Sequence, residues 1–333
     1  MKARISALIS PATYPVISVV IPTCQRPDLL SRCLRALIKR DPGPSCEIIV
    51  VDDGRSIEVR ALVNALARQH EGIRYLCPPK GRRGPAAARN AGWQAARGEI
   101  IAFTDDDTLP APDWLNAGFK ALAPGVAAAS GHVRVPLPER PTDAERETAG
   151  LQGAEFVTAN CFIRRSALVR SGGFDERYTR PWREDSDLYF TLLEQGETVV
   201  AAPEAVVVHP PRTAPAIDCL RRHRNLVFDA LLYKKHPRLY REKIAAGPPL
   251  HYYLALLLAL GALGALALGR PEPAGIAALA WLALTGWLAR RRQRGLSRHW
   301  RERIGIALTS VLIPPLAVFW RLAGAWRFRV FFA

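Results

Sequence analysis

The chain has 333 residues, of which 46 are Lys or Arg and 30 Asp or Glu, for a net charge of +16. Such a balance suits either nucleic acid or an anionic membrane surface. Residues 1–212 hold 27 basic against 25 acidic side chains and residues 213–333 hold 19 against 5; the excess therefore sits with the long apolar runs, which points to a membrane and away from nucleic acid.

In chain order, Val16 to Ile21 is a β-branched run closed by Pro22, which predicts a buried strand entering a loop. The run is too short for a secretory signal, so targeting is expected from the C-terminal segments. Thr23 to Asp28 leads into a predicted amphipathic helix with Leu29, Leu30, Cys33, Leu34, Leu37 and Ile38 on one face. A second strand, Glu47 to Val51, ends in Asp52-Asp53-Gly54. A helix around Val59 to Gln69 and a strand at Ile73 to Leu76 continue the β-α-β-α-β alternation, which implies a parallel sheet. Lys80 to Gly92 is a glycine-rich basic loop passing into an alanine helix, and amides at a helix start with nearby arginines suit a diphosphate.

The stretch Ile100 to Asp107 is a buried strand running into three carboxylates. Three adjacent acids cannot be buried unpaired, so they belong at the strand's carboxyl end, where open α/β sheets bind ligands. A divalent cation held by Asp105 and Asp107, which point the same way if the segment is extended, relieves their repulsion and can carry a diphosphate. A solvated acidic turn before Pro110 and Pro112 accounts for the same residues. Similarly, Asp53-Gly54 reads also as a simple turn, and Asn90 as a helix cap.

Further along, Phe156 to Ile163 is strand-like, and a short helix from Ser166 ends at Gly172-Gly173. Glu184, Asp185 and Asp187 open a helix, where acids also gain from the helix dipole and serve as N-terminal caps. Trp182 just before them suits either stacking on a sugar or packing. His209 ends the strand-like Ala205 to Val208. The six cysteines, Cys24, Cys33, Cys46, Cys77, Cys161 and Cys219, show no CxxC or metal-ligand spacing and read as reduced thiols of a cytosolic domain.

Three apolar runs close the chain: Leu250 to Leu268 (19 residues), Ala274 to Ala289 (16) and Ile304 to Trp320 (17). The first is long enough to span a bilayer core. Arg290-Arg291-Arg292-Gln293-Arg294 between the second and third makes that loop cytoplasmic by the positive-inside rule, with Gly269 to Pro273 outside. Tyr252, Tyr253, Trp281, Trp287, Trp300 and Trp320 fall near interface levels. A third full span would leave Arg321, Arg327 and Arg329 outside, against the charge rule, whereas a re-entrant or interfacial helix keeps them inside. Before these runs, Lys234, Lys235, Arg238, Arg241 and Lys243 suggest a basic amphipathic segment along an anionic membrane surface.

Together, Pro22-Thr23, Asp52-Asp53, Gly84 to Gly92 (G-x-x-x-A-R-N-x-G), Asp105-Asp106-Asp107, Pro110 to Leu115, Thr158 to Asn160, Gly172 to Glu176 and Glu184 to Leu188 resemble, in order and spacing, family 2 glycosyltransferases. The resemblance covers residues 15 to 212 and implies an α/β GT-A, Rossmann-like nucleotide-sugar-binding domain followed by transmembrane or interfacial helices. The implied layout is a catalytic domain at 1–212, a juxtamembrane segment at 213–249 and a membrane region at 250–333 with two or three hydrophobic helices.

What the resemblance implies for the site is specific. Pro22, Thr23, Arg26, Asp52, Asp53, Arg89, Asn90, Asp105 and Asp106 would bind the nucleotide sugar. Asp105, Asp107 and His209 would hold a divalent metal, Mn²⁺ or Mg²⁺, with Asp107 as its direct ligand. Asp185 would be the catalytic base beside Glu184, and Asn160 and Trp182 would serve the acceptor. Arg55 departs from the usual serine or threonine after Asp-Asp-Gly.

The implied activity is inverting transfer from a UDP- or GDP-sugar to a membrane lipid or lipid-linked glycan acceptor, such as a polyprenyl phosphate. The expected place is a bacterial inner membrane, multi-pass, with the catalytic domain cytoplasmic. No Q-x-x-R-W motif follows, so a single sugar is expected to be transferred. A sugar nucleotidyltransferase and a non-catalytic nucleotide-sugar-binding scaffold are the rival readings.

Overall fold

The computed structural model describes residues 15–332. The chain begins with β1 (Ile17–Thr23), α1 (Pro27–Ile38), β2 (Cys46–Asp52), α2 (Ile57–Ala67), β3 (Ile73–Leu76), α3 (Pro85–Ala95) and β4 (Ile100–Thr104). β1 pairs in parallel with β2 and β4, and β2 with β3, as the alternation of strands and helices predicts. Side-chain alternation sends Ile17, Val19 and Ile21 to a core shared with α1 and α2, and Val20 to a second core shared with α3. Gly92 permits the close approach of α3: a Cβ there would lie 2.3 Å from Val20 Cγ1.

Beyond β4 the sheet turns mixed. β5 (Leu109–Pro110), α4 (Trp114–Ala121), β6 (Val126–Arg134), α5 (Asp143–Ala149), β7 (Asn160–Arg164), α6 (Arg165–Ser171), α7 (Glu184–Glu194) and β8 (Thr198–Val208) complete one eight-stranded sheet of order β3-β2-β1-β4-β7-β6-β8-β5. β7 runs antiparallel to β4 and β6, while β8 runs parallel to β6. The acids of β2 and β4 thus leave the strands on either side of β1 at the same carboxyl end of the sheet, flanking the end of β1.

The segment that follows differs from the predicted surface-lying basic stretch. After α8 (Asp218–Arg222), helix α9 (Val227–Lys235) is buried at Phe228, Ala230, Leu231 and Leu232. α10 (Pro237–Lys243) packs against it. The basic groups are largely spent inside the protein: Lys235 Nζ reaches Asp187 (2.6 Å) and Asp175 (3.0 Å), and Lys243 reaches Glu155 (2.6 Å). Arg238, in contrast, remains exposed, 3.8 Å from Glu242.

α11 (Leu250–Ala267), α12 (Pro271–Gln293) and α13 (Trp300–Phe328) are each long and apolar enough to cross a membrane. α11 and α12 form a hairpin with exposed leucines along its length. At the end of α12, Arg292 reaches back to Asp143 (2.6 Å) of α5. α13 runs through Pro314 and Pro315 for 29 residues, about 43 Å at helical rise. Both its ends touch the body of the protein. Near the start, Glu302 accepts from the Asp143 amide (2.9 Å) and Ile306 packs with Ala216. Near the end, Gly324 sits so close to α9 that a Cβ would meet the Val227 carbonyl at 2.6 Å, and Phe332 packs on Tyr233 and Tyr240. The helix therefore lies along the domain, with Ile304, Leu308, Leu312, Phe319, Leu322 and Trp326 exposed.

Candidate active site

The acids after β4 do not continue the strand. Asp105 to Thr108 is a turn, closed by the Thr108 amide (3.2 Å) and hydroxyl (2.8 Å) on the Asp105 carbonyl, because three extended carboxylates would face one another without partners. The turn sends each side chain to a different place, correcting the expectation that Asp105 and Asp107 point together. Asp105 accepts from Arg89 Nη2 (2.8 Å). Asp106 is buried against the Thr23 hydroxyl (2.6 Å) and Arg26 (3.3 Å), and burial pushes its carboxyl up to about 6. Here Asp106 braces the end of β1 rather than facing the cleft.

Asp107 meets His209 at the end of β8, with Oδ1 and Nε2 3.3 Å apart, both buried and neither with a hydrogen bond among the described residues. Its other oxygen faces Arg26 (3.2 Å) and Arg212 (3.3 Å). The contact of His209 Nδ1 with the Pro210 carbonyl (3.0 Å) requires Nδ1 to be the donor, because a carbonyl can only accept. Neutral imidazole would then aim its Nε2 lone pair at a carboxylate. Two acceptors in such a position need a proton or a cation between them. Burial opposes the proton, but the Asp107 carboxylate outweighs it and raises the His209 pKa. A divalent ion fits the same donor set: one carboxylate oxygen and one imidazole nitrogen whose other nitrogen is held by a backbone carbonyl. Asp105, fixed on Arg89, stands outside this pair. No group of three or more His, Cys, Asp or Glu poised for a metal occurs among the described residues, so further ligands would come from phosphate oxygens and water.

At the neighbouring strand end, Asp52 spends both oxygens locally. They accept from the amides of Gly54 (2.9 Å) and Ser56 (2.7 Å), and from the Tyr75 hydroxyl (3.0 Å). Asp52 shapes the loop that presents Asp53. Asp53 Oδ2 accepts from the Gly84 amide (2.9 Å), while its buried Oδ1 has no partner among the described residues. Pro22 and Thr23 close β1 beside it. The loops after β1 and β2 each hold a non-glycine residue in the left-handed region, Gln25 (φ 54°) and Arg55 (φ 53°) respectively, a conformation that costs energy and concentrates at functional loops. Arg55, the departure from the family pattern, is pinned there by a bond from Nη2 to the Pro78 carbonyl (2.6 Å).

Across the cleft, Arg89 joins the two halves. Its guanidinium donates to Asp105 and, through Nη1, to Glu184 (3.0 Å), with Arg89 and Glu184 both buried. Burial pushes Glu184 up to about 7 against the pull of Arg89. Asp185 is half-buried, and burial raises its pKa as well. Its Oδ1 accepts from the Ser186 amide (2.7 Å), while Oδ2 has no partner among the described residues. The helix that carries this pair starts from Arg183, also left-handed (φ 73°). Asp229 of α9 holds that start, accepting from Arg183 Nε (2.8 Å) and Trp182 Nε1 (2.9 Å).

Three expectations change. Asn160 is fully buried: its Oδ1 accepts from Trp114 Nε1 (2.8 Å), and its Nδ2 donates to the carbonyls of Ala205 (2.7 Å) and His132 (3.0 Å). It cannot reach an acceptor, and instead staples β6, β7 and β8. Asn90 is neither a cap nor free for a nucleotide, because its amide is saturated by Phe174, Glu176 and Trp93. Trp182 packs its ring against Tyr178, Phe228 and Leu231, with Arg183 at 4.8 Å over it. Asp229 and Arg212 enter the site without having been predicted; Asp229 lies 46 residues from Arg183, and nothing local in the sequence links them.

The family model for glycosyl transferase family 2 matches residues 18–176. Glycosyltransferase AglE of Haloferax volcanii is 26% identical over 214 residues, covering 60% of this chain and 69% of the relative. A pre-mycofactocin glycosyltransferase of Mycobacterium tuberculosis is 28% identical over 308 residues, 87% of this chain but only 61% of the relative. A GalNAc(5)-diNAcBac-PP-undecaprenol β-1,3-glucosyltransferase of Campylobacter jejuni is 33% identical over 93 residues, 28% of this chain. Among solved structures, a mannosyltransferase from Pyrobaculum calidifontis, in complex with GDP-Man and Mn²⁺, superposes with a TM-score of 0.60 over 95% of this chain and 89% of its own, at 22% identity. The curled mixed sheet is that of the GT-A fold, and sugar transfer, not nucleotidyl transfer, is the activity these relatives are named for. Residues 18–176 are a family 2 glycosyltransferase domain.

Proposed function

We propose that the protein transfers one sugar from a nucleoside-diphosphate sugar to a membrane-associated acceptor, with inversion at the anomeric carbon and Asp185 as general base. The observation that carries the reading is the set of acceptors without a partner among the described residues: Asp53 Oδ1, Asp107 Oδ1 and His209 Nε2 at the strand ends, and Asp185 Oδ2 at the start of α7, the two sides joined by Arg89. Asp53 suits a donor group of the nucleotide. Asp107 and His209 would hold a divalent cation, which when bound neutralises the charge growing on the departing diphosphate. Arg26 and Arg212 stand ready on the same side for that charge.

Asp185 then accepts the proton of the acceptor hydroxyl as its oxygen attacks from the opposite face. Its orientation is set by the Ser186 amide and by Glu184, which is locked on Arg89. The same Arg89 holds Asp105, so the base and the donor loop move as one unit. The solved mannosyltransferase complex with GDP-Man and Mn²⁺ supports a metal and a nucleotide sugar. The undecaprenol-linked acceptor in the name of the Campylobacter relative supports a lipid-linked acceptor. The orientation with the α11–α12 turn outside, and Arg290 to Arg294 on the cytoplasmic side with the catalytic domain, follows the charge rule.

The test is to incubate membranes containing the protein with labelled nucleotide sugars and Mn²⁺ or Mg²⁺, beside an Asp185→Asn control. Label entering the lipid extract from one donor, and lost in the control, is the expected result. Undiminished transfer by the control would remove Asp185 from the mechanism, and release of pyrophosphate in place of nucleoside diphosphate would contradict sugar transfer.

A further inference from the structure

Between the loop entering α7 and the end of α13, three arginines gather without a carboxylate. Arg180 Nη1 lies 3.5 Å from the Arg224 carbonyl. The Arg327 guanidinium stands 5.2 Å from the Phe328 ring and 6.0 Å from that of Phe228. Phe228 in turn packs at 5.7 Å on Tyr178, two residues before Arg180. Among the described residues, none of the three pairs with Asp or Glu. Other arginines of the domain do: Arg26, Arg89, Arg183 and Arg292 each hold one. Burial and the two like charges push Arg180 below the usual arginine range. Like charges so assembled repel until an anion joins them, and a phosphate offers three oxygens to three guanidinium forks.

The surroundings say what the anion is attached to. Trp326 and Phe331 flank Arg327 in the chain and are 86% and 91% exposed. Trp326, Arg327 and Arg329 wall a pocket of about 440 Å³. An exposed aromatic surface next to an uncompensated arginine cluster suits a molecule with an anionic head and an apolar tail. Arg180 precedes by only three residues the left-handed Arg183 from which Glu184 and Asp185 project, so such a head would lie on the base side of the cleft.

We propose that Arg180, Arg224 and Arg327 seat the phosphate of a lipid-linked acceptor, whose chain lies over Trp326 and Phe331. The proposal rests on the transferase reading above and names its acceptor class.

The test uses the full chain in neutral detergent. Binding of a short polyprenyl phosphate and of the matching polyprenol is measured for the wild type and for Arg180→Ala, Arg327→Ala and the control Arg238→Ala, with nucleotide-sugar binding followed in parallel. The phosphate form should bind at least about tenfold more tightly than the alcohol, and each of the first two variants should lose about tenfold on the phosphate form alone. Arg238→Ala and donor binding should stay unchanged, which also reports that the variants are folded. Arg180→Lys should retain part of the binding. Equal affinity for phosphate and alcohol overturns the proposal. So does an effect of the variants confined to flotation on anionic phospholipid vesicles, which would make the cluster a headgroup anchor, and so does equal competition by inorganic phosphate alone. Failure of the wild type to bind or turn over any nucleotide sugar would count against the transferase reading, whereas normal donor turnover with arginine variants that bind polyprenyl phosphate like wild type would count against this inference only.

Discussion

Asp185 and His209 carry the sharpest residue-scale expectations, since the half-buried carboxylate and the buried imidazole each have an acceptor atom without a partner among the described residues. A base must be unprotonated to work, and burial raises Asp185, so transfer should fall with falling pH through a midpoint above the ordinary aspartate value of about 3.9. Glu184, at about 7, should add a shallower loss near neutrality as its protonation loosens the hold on Arg89. A kcat/KM profile flat down to the ordinary carboxylate range would contradict both. Asp185→Asn should lower kcat by about 10²–10⁴-fold with little change in donor KM. For the cation, Asp107→Asn or His209→Gln should raise the Mn²⁺ concentration needed for donor binding by about tenfold or more, read by calorimetric titration of the nucleotide sugar with and without metal. Unaltered metal dependence in both variants would take the ion away from this pair.

Among the elements, the parallel half was readable because its strands are largely apolar runs, two of them, β2 and β4, ended by acids, and two physical rules, burial of apolar residues and exposure of unpaired carboxylates, act in the same direction there. The path of the acids past the strand was not readable, since mutual repulsion within one tripeptide folded it into a turn through contacts with Arg89, Thr23 and His209, residues from 16 to 102 positions away. Asn160 illustrates the same limit. Its type suits ligand binding, but its neighbours, Trp114, His132 and Ala205, are set by the sheet order. Asn160→Ala should therefore cost about 2 kcal/mol or more in stability by orphaning an indole N–H and two carbonyls, visible as a lower thermal midpoint, while acceptor KM is unchanged in the folded fraction. An altered acceptor KM at full stability would return Asn160 to the acceptor side. Helix α9 escaped recognition for a related reason: its lysines read as a surface, and the partners of Lys235, Asp175 and Asp187, lie in a different part of the chain, as does Glu194, which meets the adjacent His236.

For the molecule as a whole, the C-terminal helices are joined to the catalytic centre through packing rather than through a linker. α13 packs on α9, α9 holds the start of α7 through Asp229, and α7 carries Asp185. Gly324→Leu, which forces a side chain onto the Val227 carbonyl, should part α13 from α9 and lower transfer more than donor binding; equal loss of both would indicate general unfolding instead. With both ends clasped by the domain, α13 can neither tilt nor slide independently of it. Were α13 to lie in the membrane interface, its exposed apolar face would rest in the bilayer surface and the site would work at a fixed height over the lipid, like a tool on a rigid stand. Selection of the acceptor then acquires a mechanical component: the reactive group must sit at that height, and a lipid whose glycan carries it well above or below goes unmodified whatever its chemistry.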